Sequence, residues 1–448
     1  MSKVYIVAVD MGYGHQRAVF PLEHIAELPE GWELPSPIIS ANNYPNIPKA
    51  DKNKWADTRK IYEWVSKMRS VPYLGILMFS ILDYFQRIEL FYPKRDLSAP
   101  SLQVHQIYKM IKEGLGKHLI EVLNKKPLPL LTSFFMPAIF AEEHGYEGEI
   151  YCLCTDTDIS RAWAPLYPGK SKIIYLAPNQ RVKERLLLYG VREEKIITTG
   201  FPLPLSMLGD EEKLEIAKEN AYRRIVKLDP EGIYRQKYEA IVSEYFDVSK
   251  EVKNLPINLT FAVGGAGAQA EIGEQILISL KNIIASGKIK LNLVVGTSKV
   301  LFDKYTKIIE EKDDLRELYE KRLIKIIYNA DKFEYFRVFN DLLIETDILW
   351  TKPSELSFYA GLGLPIIIAP PLGSQEKCNR EWLHTIEAGI DQEAPEFSNQ
   401  WFMDWLGDGR FAELVTNGFL NAPKRGTYHI ESLLLKGEKE EVENIHTI

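Results

Sequence analysis

The chain has 448 residues, which is too long for one ordinary hydrophobic core and predicts two or three domains. Hydrophobic residues make up 46% and charged residues 26%, a composition that excludes a largely disordered chain. The formal net charge is -7 and the basic clusters are short, so a nucleic-acid partner is not expected.

The N-terminus enters a strand-like run directly, without the charged and apolar regions of a signal peptide, and a cytoplasmic location is expected. Three cysteines do not make a disulfide framework; Cys152 and Cys154 predict buried thiols on one strand and not a zinc site. No run reaches the ~20 apolar residues that span a bilayer. The apolar residues 71–85 favour a buried helix, with a membrane contact as the alternative.

The first half of the chain alternates short apolar runs with helical patterns. Continuous apolar runs are typical of parallel strands that are covered on both faces, and the β-α order predicts a doubly wound sheet. Strands are predicted at residues 4–9, 129–133, 150–154 and 173–176, and helices at residues 16–28, 60–68, 105–124 and 179–189.

A second α/β series follows a charged, helix-patterned stretch at residues 210–253. We therefore predict two Rossmann-like, doubly wound domains that face each other across a cleft at the carboxyl ends of their strands. A helical tail rich in Trp and Phe follows residue 400. In the second series, strands are predicted at residues 258–263, 291–295, 323–327, 347–350 and 365–369, and helices at residues 268–284 and 354–361.

Two glycine-rich loops each follow a predicted strand and precede a helix. Glycines let the backbone approach a ligand, and a helix N-terminus offers free N–H groups to an anion. We expect a diphosphate at the second loop, and His15 is a candidate for proton transfer. A tight structural turn is the alternative for each loop. The residues are Gly12, Gly14 and His15 in the first loop, and Gly264, Gly265, Ala266 and Gly267 in the second.

Polar residues follow two other predicted strands. A carboxylate at a strand's carboxyl end could act as a base on a hydroxyl group, or it could cap a helix. Loops rich in Gln, Glu, Lys and Asn can hydrogen-bond sugar hydroxyls. The candidates are Asp156, Asp158 and Arg161 after the third strand, and Lys352, Ser354, Glu355, Gln375, Glu376 and Asn379 in the second half.

Taken in order, these motifs resemble the inverting GT-B glycosyltransferases related to monogalactosyldiacylglycerol synthase and the N-acetylglucosaminyltransferase of lipid II synthesis. Residues 12–18 look like their Gly-x-Gly-His-x-x-Ala loop, and residues 264–268 look like their Gly-Gly-x-Gly-Ala loop. Residues 155–163 are similar to the Thr-Asp segment of the galactolipid enzymes. Residues 175–204 and 351–379 resemble the end of the N-terminal domain and the donor-binding segment. The matches extend over residues 3–385.

The resemblance implies transfer of a sugar from a nucleotide-sugar to a lipid or small-molecule acceptor, with no obligatory metal or other cofactor. It further implies a UDP-sugar donor and inversion by direct displacement. The apolar residues 71–85 are the candidate for a lipid acceptor or a peripheral membrane contact. The implied domains are 1–204 for the acceptor, 205–254 as a helical insert or linker, 255–400 for the donor and 401–448 as a helical tail. His15 or Asp156 would be the base, and Gly12, Gly14, Asp158 and Arg161 would lie on the acceptor side. The diphosphate would bind at residues 264–267 and the donor's other parts near Lys352, Ser354, Glu355, Gln375, Glu376 and Asn379.

The chain departs from the family pattern at three points. Phe358 stands where family members have a Glu that holds the ribose hydroxyls, and Glu355, one turn earlier, is a candidate substitute. Arg161 replaces a His of the galactolipid group, and residues 210–253 have no counterpart. Two alternatives therefore stay open: a catalytically silent ligand-binding protein, and a nucleotide-sugar epimerase or hydrolase. A dehydrogenase is disfavoured because neither glycine loop is followed by the expected acidic residue.

Overall fold

The structure, a computed structural model, describes residues 3–57, 87–253, 255–262 and 269–439. Contacts divide the chain into two compact units, and each contains one six-stranded sheet. The first unit comprises Met1–Pro202, Gly373–Cys378 and Arg425–Ile448, and the second comprises Leu203–Leu372 and Asn379–Lys424.

The first sheet has the strand order β2-β1-β3-β4-β5-β6, and every pairing in it is parallel. Its strands are almost entirely buried, as expected for a parallel sheet covered on both faces. The four predicted strands are confirmed, and β2 and β6 are additional. The strands are β1 (Tyr5–Ala8), β2 (Ile38–Ser40), β3 (Leu130–Thr132), β4 (Ile150–Leu153), β5 (Ile174–Ala177) and β6 (Ile196–Thr198).

The second sheet has the order β12-β11-β10-β7-β8-β9 and is also parallel throughout. The five predicted strands are confirmed, and β12 is additional. The strands are β7 (Ile257–Ala262), β8 (Ile289–Gly296), β9 (Ile324–Tyr328), β10 (Ile348–Thr351), β11 (Ile366–Ile368) and β12 (Gly389–Asp391).

Helices flank both sheets, so the two predicted Rossmann-like, doubly wound domains are confirmed. The boundaries proposed for the domains and the cleft between them stay predictions. In the first unit the helices are α1 (Gly14–Val19), α2 (Leu102–Lys112), α3 (Lys117–Leu123), α4 (Phe135–Glu143) and α5 (Gln180–Leu188). The next helices are α6 (Leu205–Leu208), α7 (Glu215–Lys227), α8 (Ile233–Lys237), α9 (Glu239–Tyr245), α10 (Ala270–Ala285), α11 (Lys299–Glu310), α12 (Asp313–Glu320) and α13 (Lys332–Glu345). The last are α14 (Ser374–Thr385), α15 (Ser398–Gly407), α16 (Arg410–Asn421) and α17 (Gly426–Lys436).

Several predicted helices differ in extent from the observed ones. The pattern at residues 16–28 becomes α1 followed by the 3-10 helix Phe20–Ile25, and the pattern at 105–124 becomes α2 and α3. The helix predicted at 60–68 and the apolar run 71–85 lie outside the described residues. Within the described ranges, no helix is both long and apolar enough to cross a bilayer. Cys152 and Cys154 are buried, as predicted, and burial raises the pKa of both thiols.

The segment predicted as residues 354–361 is helical, but it is a 3-10 helix over Glu355–Leu362 and not an α-helix. Helix α16 approaches it closely, because a Cβ atom at Gly418 would lie 2.7 Å from the carbonyl oxygen of Ala360. A 3-10 helix is narrower than an α-helix, which suits a segment packed so tightly against its neighbour. Glycine at position 418 therefore permits the backbone contact that holds this segment.

Buried Arg224 attaches α7 to the second sheet. Its guanidinium donates hydrogen bonds to the carbonyl oxygens of Leu343 (3.2 Å), Thr346 (2.8 Å) and Leu362 (2.8 Å), around the strand β10. Asp347, also fully buried, forms an ion pair with Lys227 from the same helix. The charged stretch at residues 210–253 is thus helical, as predicted, and α7 is an integral part of the second unit.

We expect Arg224→Ala to destabilise the second unit by about 3 kcal/mol or more, because it leaves several buried carbonyl groups without a donor. Thermal and urea unfolding of the full chain would measure the loss. Arg337→Ala, which removes an exposed arginine from the same unit, is the matched control and should change stability by less than about 1 kcal/mol. Equal effects of the two substitutions would refute the role given to Arg224.

Candidate functional site

In the first sheet, the strand order reverses between β1 and β3. The chain moves outward from β1 to β2 and then returns to start β3 on the other side of β1. In open parallel sheets, ligands bind beside such a reversal, at the carboxyl ends of the strands. The loop that contains Gly12, Gly14 and His15 follows β1, and Ser133 follows β3.

His15 bridges this reversal point. Its Nδ1 lies 2.9 Å from the carbonyl oxygen of Ser133, and the Ser133 hydroxyl donates a 2.7 Å hydrogen bond to the carbonyl oxygen of His15. The imidazole ring also packs against Phe134, with 4.6 Å between ring centroids. The loops after β1 and β3 are therefore fixed to each other through His15 and Ser133.

The protonation of His15 follows from these contacts. Burial lowers the pKa of the imidazole to about 4, although the hydrogen bond to Ser133 acts in the opposite direction. A carbonyl oxygen only accepts hydrogen bonds, so Nδ1 carries the proton and Nε2 carries the lone pair. Among the described residues, no hydrogen bond reaches Nε2. The half-buried ring thus presents an unprotonated nitrogen near neutral pH.

The glycine loop itself is held by the end of β2 and the segment that follows it. The Asp10 N–H donates to Asn42 Oδ1 (2.8 Å), and the Asn42 amide donates to the Asp10 carbonyl oxygen (3.1 Å). Gln16 Nε2 donates to Ser40 Oγ at 2.9 Å. Gly12 is exposed and has a φ of +94°, which side-chain-bearing residues rarely adopt. Position 12 therefore requires glycine, and the loop has a defined shape.

The predicted acidic loop follows β4, the neighbour of β3. Thr155 Oγ1 lies 3.5 Å from His15 Nδ1, so this loop reaches the histidine. Asp156 is half-buried at the end of the strand. Buried Asp158 pairs with two arginines of α5: Arg185 Nε and Nη2 lie 2.8 Å from its two oxygens, and Arg181 Nε lies 3.0 Å away. Asp158 thus has a structural task, and a contact with an acceptor stays a prediction.

Arg161 joins two loops of the first unit. It lies in the short 3-10 helix Arg161–Trp163 and is buried, which lowers its pKa. Its guanidinium donates to the carbonyl oxygens of Ser98 (2.7 and 3.1 Å), Ala164 (2.6 Å) and Pro165 (3.1 Å). These bonds explain why an arginine is needed here; its predicted place on the acceptor side remains untested.

The second sheet has its own reversal, between β7 and β10. Thr351 Oγ1, at the end of β10, donates a 3.2 Å hydrogen bond to the carbonyl oxygen of Ala262, at the end of β7. The residues Gly264, Gly265, Ala266 and Gly267 come directly after β7 but lie outside the described residues. Gln269, the first described residue after them, has a φ of +73° and donates to the Pro370 carbonyl oxygen at 2.6 Å.

Several predicted donor-side residues follow β10. Ser354 caps the 3-10 helix, with its Oγ accepting from the Leu356 N–H, which confirms the predicted cap. Lys352 and Glu355 are half-buried beside it. Asn379 of α14 is fully buried, and its Nδ2 donates to the Pro353 carbonyl oxygen at 3.3 Å. The structure therefore brings Asn379 to the loop after β10.

Gln375 and Glu376 lie in the first turn of α14 and are half-buried. Residues Gly373–Cys378 belong to the first compact unit, and Asn379 belongs to the second. The donor-side residues predicted on α14 are therefore distributed over both units. Their roles as sugar ligands stay predictions.

The face of the 3-10 helix explains how Phe358 and Glu355 differ. Phe358 is 1% exposed and packs against Trp382 of α14, with 5.2 Å between ring centroids, so it belongs to the core. In a 3-10 helix, side chains at i and i+3 lie on the same face, about 6 Å apart along the axis. Glu355 therefore shares the face of Phe358, at the more accessible end of the helix.

Sequence reasoning missed Ser133 and Asn42, which shape the loop after β1. Ser133 ends an apolar run, and Asn42 follows the unpredicted strand β2. Neither position carries a motif, because each acts through a backbone or amide hydrogen bond to a distant loop. Among the described residues, no group of three or more His, Cys, Asp or Glu side chains is arranged to hold a metal ion. The expectation that no metal is needed stays a prediction.

Residues 247–379, fewer than a third of the chain, match a family described as "Domain of unknown function (DUF6938)". No curated protein sequence matches the chain.

Three solved structures with similar folds cover nearly the whole chain. The S. aureus MnaA-UDP co-structure has 11% identity, covers 98% of this chain and 99% of its own, and has a TM-score of 0.46. The structure of Acinetobacter baumannii MurG has 12% sequence identity and a TM-score of 0.45, and the match covers 97% of this chain and 99% of that protein. The third structure is Methanocaldococcus jannaschii UDP-GlcNAc 2-epimerase in complex with UDP-GlcNAc and UDP. It has 14% sequence identity and a TM-score of 0.41, and the match covers 92% of this chain and 97% of that protein. These likenesses concern the fold alone.

We expect the His15 ring to stay neutral, with the proton on Nδ1, until the pH falls to about 4. An unfolded histidine binds a proton near pH 6.5, whereas folded His15 stays neutral down to about pH 4. The contribution of His15 to the free energy of unfolding should therefore fall as the pH is lowered from about 6.5 to 4, and it should not change with pH above 6.5. NMR titration of the imidazole nitrogens measures the tautomer and the pKa. His105, exposed on α2, serves as the internal control. A His15 pKa near 6.5 would contradict the prediction.

Proposed function

We propose that the chain is a glycosyltransferase that moves a sugar from a UDP-sugar to a lipid or small-molecule acceptor. The observation that carries this proposal is the unprotonated Nε2 of His15, held at the reversal point of the first sheet by Ser133. A fixed, neutral imidazole at the carboxyl ends of the strands has a free lone pair that can accept the proton of an acceptor hydroxyl. The resemblance of the ordered motifs to GT-B transferases supports the same reaction.

The donor site is proposed at the reversal point of the second sheet. The diphosphate would bind to the N–H groups of residues 264–267 and the N-terminus of α10, a 16-residue helix with Gln269 at its start. Lys352, the loop after β10 and Asn379 would contact the rest of the donor. Glu355 would hold the ribose hydroxyls, since it shares the helix face of the buried Phe358.

The proposed reaction is a single displacement with inversion. The acceptor hydroxyl gives its proton to the base as its oxygen forms a bond to the anomeric carbon. The bond from that carbon to the diphosphate breaks, and UDP leaves with the bonding electrons. Helix N-terminal N–H groups stabilise the leaving charge. The low pKa of His15 keeps the ring unprotonated but makes it a weak base, so Asp156, at the end of β4, is the alternative base.

A ligand-binding protein without catalysis is the second candidate, and the burial of Phe358 favours it. A phenyl ring in the core cannot hydrogen-bond a ribose, so the site lacks the carboxylate that the resembled enzymes have at this position. In this case the chain would bind UDP and turn over no UDP-sugar.

We expect His15→Ala to lower kcat about 100-fold or more while leaving UDP affinity nearly unchanged, because a base acts in the chemical step. Asp156→Asn, measured in parallel, compares the two candidate bases. Release of UDP from a panel of UDP-sugars is followed with and without acceptors, and the sugar product is identified. His105→Ala is the control and should retain full activity.

Each outcome of this assay selects one function. Transfer to an acceptor supports the transferase. UDP release without an acceptor indicates a hydrolase, and conversion of the donor sugar indicates an epimerase. UDP binding without turnover of any donor supports the silent protein. Wild-type activity in both the His15 and the Asp156 variants would remove the proposed mechanism.

We expect Glu355→Gln to weaken UDP binding about tenfold, because a charged hydrogen bond to the ribose is lost. Thermal unfolding with a UDP titration measures this, since a ligand at about 100 times its dissociation constant adds about 2.7 kcal/mol of stability. The exposed Glu396, substituted to Gln, provides the control in the same unit. Glu355→Gln should weaken the binding of 2′-deoxy-UDP less than it weakens the binding of UDP. An unchanged UDP affinity in Glu355→Gln would assign the ribose to other residues.

A further inference from the structure

The connection between β8 and β9 in the second unit contains a cavity of about 450 Å³. Small-molecule sites have volumes of about 300–1,000 Å³, so this cavity has room for a ligand. The chain leaves β8 at the carboxyl edge of the sheet and returns to the opposite edge, where β9 begins four residues after Glu320. The cavity is therefore part of a crossover, and none of its lining residues belongs to the loops proposed for the donor.

Two helices, α11 and α12, supply the lining of this cavity. On each helix the lining residues are spaced i, i+3 and i+4, which is the spacing of one face of an α-helix. Only two residues connect the end of α11 with the start of α12, so the two faces meet at a short turn. The lining residues are Thr306, Ile309 and Glu310 of α11 and Arg316, Tyr319 and Glu320 of α12.

The cavity offers apolar surface and one unsatisfied polar atom. Ile309 is 2% exposed, and Tyr319 is 38% exposed. The side-chain oxygen of Thr306, Oγ1, is buried and has no hydrogen-bond partner among the described residues. A buried polar atom without a partner is unfavourable, and a ligand N–H group beside Thr306 would satisfy it. The lining therefore suits a ligand that has both a hydrocarbon part and a hydrogen-bond donor.

The charges of the lining residues favour a cation. Residues 299–320 include seven Asp and Glu side chains, and five of them form ion pairs with a Lys or an Arg. Within the described ranges, the two that form none are Glu310 and Glu320, and both line the cavity. Arg316 is already balanced, because its Nη1 lies 3.2 Å from a carboxylate oxygen of Asp313 and its Nη2 donates to the carbonyl oxygen of Glu310. The cavity is thus left with two uncompensated carboxylates.

We propose that the cavity between α11 and α12 binds a small linear amine with two or more protonated amino groups. The ammonium groups pair with Glu310 and Glu320, and one of them donates to the hydroxyl oxygen of Thr306. The carbon chain between them lies against Ile309 and the ring of Tyr319, which also attracts the positive charge. The site shares no residue with the proposed donor site or the candidate bases, so its failure would leave the proposed transferase untouched, and the reverse also holds.

Isothermal titration calorimetry of the full chain with putrescine and with spermidine tests the proposal. Both amines are protonated near neutral pH, and each should bind at one site per chain. The affinity should fall as salt is raised, because the attraction between the charges is screened. The double variant Glu310→Gln/Glu320→Gln should bind both amines at least about tenfold more weakly, since it removes two charges and leaves the size of the side chains unchanged.

The matched control is Glu311→Gln/Glu317→Gln, which removes the same charge from two exposed residues of the same segment that do not line the cavity. It should bind the amines like the wild type, and both double variants should unfold at the wild-type temperature, because exposed ion pairs contribute little to stability. Binding of neither amine, or equal weakening by the two double variants, would overturn the proposal. Tighter binding of glucose or of magnesium chloride than of either amine would also overturn it, by assigning the cavity to a sugar or to a metal ion.

Discussion

The parallel pairing of every strand in both sheets is the constraint on which the rest of the structure depends. Parallel strands end at the same edge of their sheet, so the loops that follow them gather there whatever their distance in sequence. The strand order reverses once in each sheet, at β1/β3 and at β7/β10. The loops at these points diverge to opposite faces and leave room for a ligand. The hydrogen bond between His15 and Ser133 and that between Thr351 and Ala262 span these two points.

The strands could be predicted because parallel sheets demand continuous apolar runs. Nine of the observed strands have this signature, whereas β2, β6 and β12 are short and lie beside polar or turn-forming residues, so no long apolar run marks them. The equally short β3 and β11 could be predicted because apolar residues and prolines extend their runs on either side. The 3-10 form of Glu355–Leu362 could not be predicted, because it depends on packing against α16 at Gly418. Local propensity favours a helix at these residues, and tertiary packing decides between the α and the 3-10 form.

The candidate site also has features that could be predicted from the sequence and features that could not. The positions of His15, Asp156 and the loop after β10 follow from strand ends and glycine patterns, which are local. The state of His15 and the structural bonds of Asp158 and Arg161 could not be foreseen, because they depend on Ser133, on the arginines of α5 and on Ser98, all distant in sequence. A motif selects a residue type, but its partners decide whether that residue meets a ligand or supports a loop.

These distant partners also connect the candidate site with the segment at residues 87–98, which contains Phe91. Asp158 belongs to the loop after β4, whose Thr155 reaches His15, and it pairs with Arg181, whose guanidinium lies 3.6 Å from the centre of the Phe91 ring. Residues 87–98 are thus linked to the edge of the first sheet through one carboxylate and one arginine. A buried carboxylate with two arginine partners holds its neighbours in a narrow range of positions, since breaking either pair leaves a buried charge uncompensated.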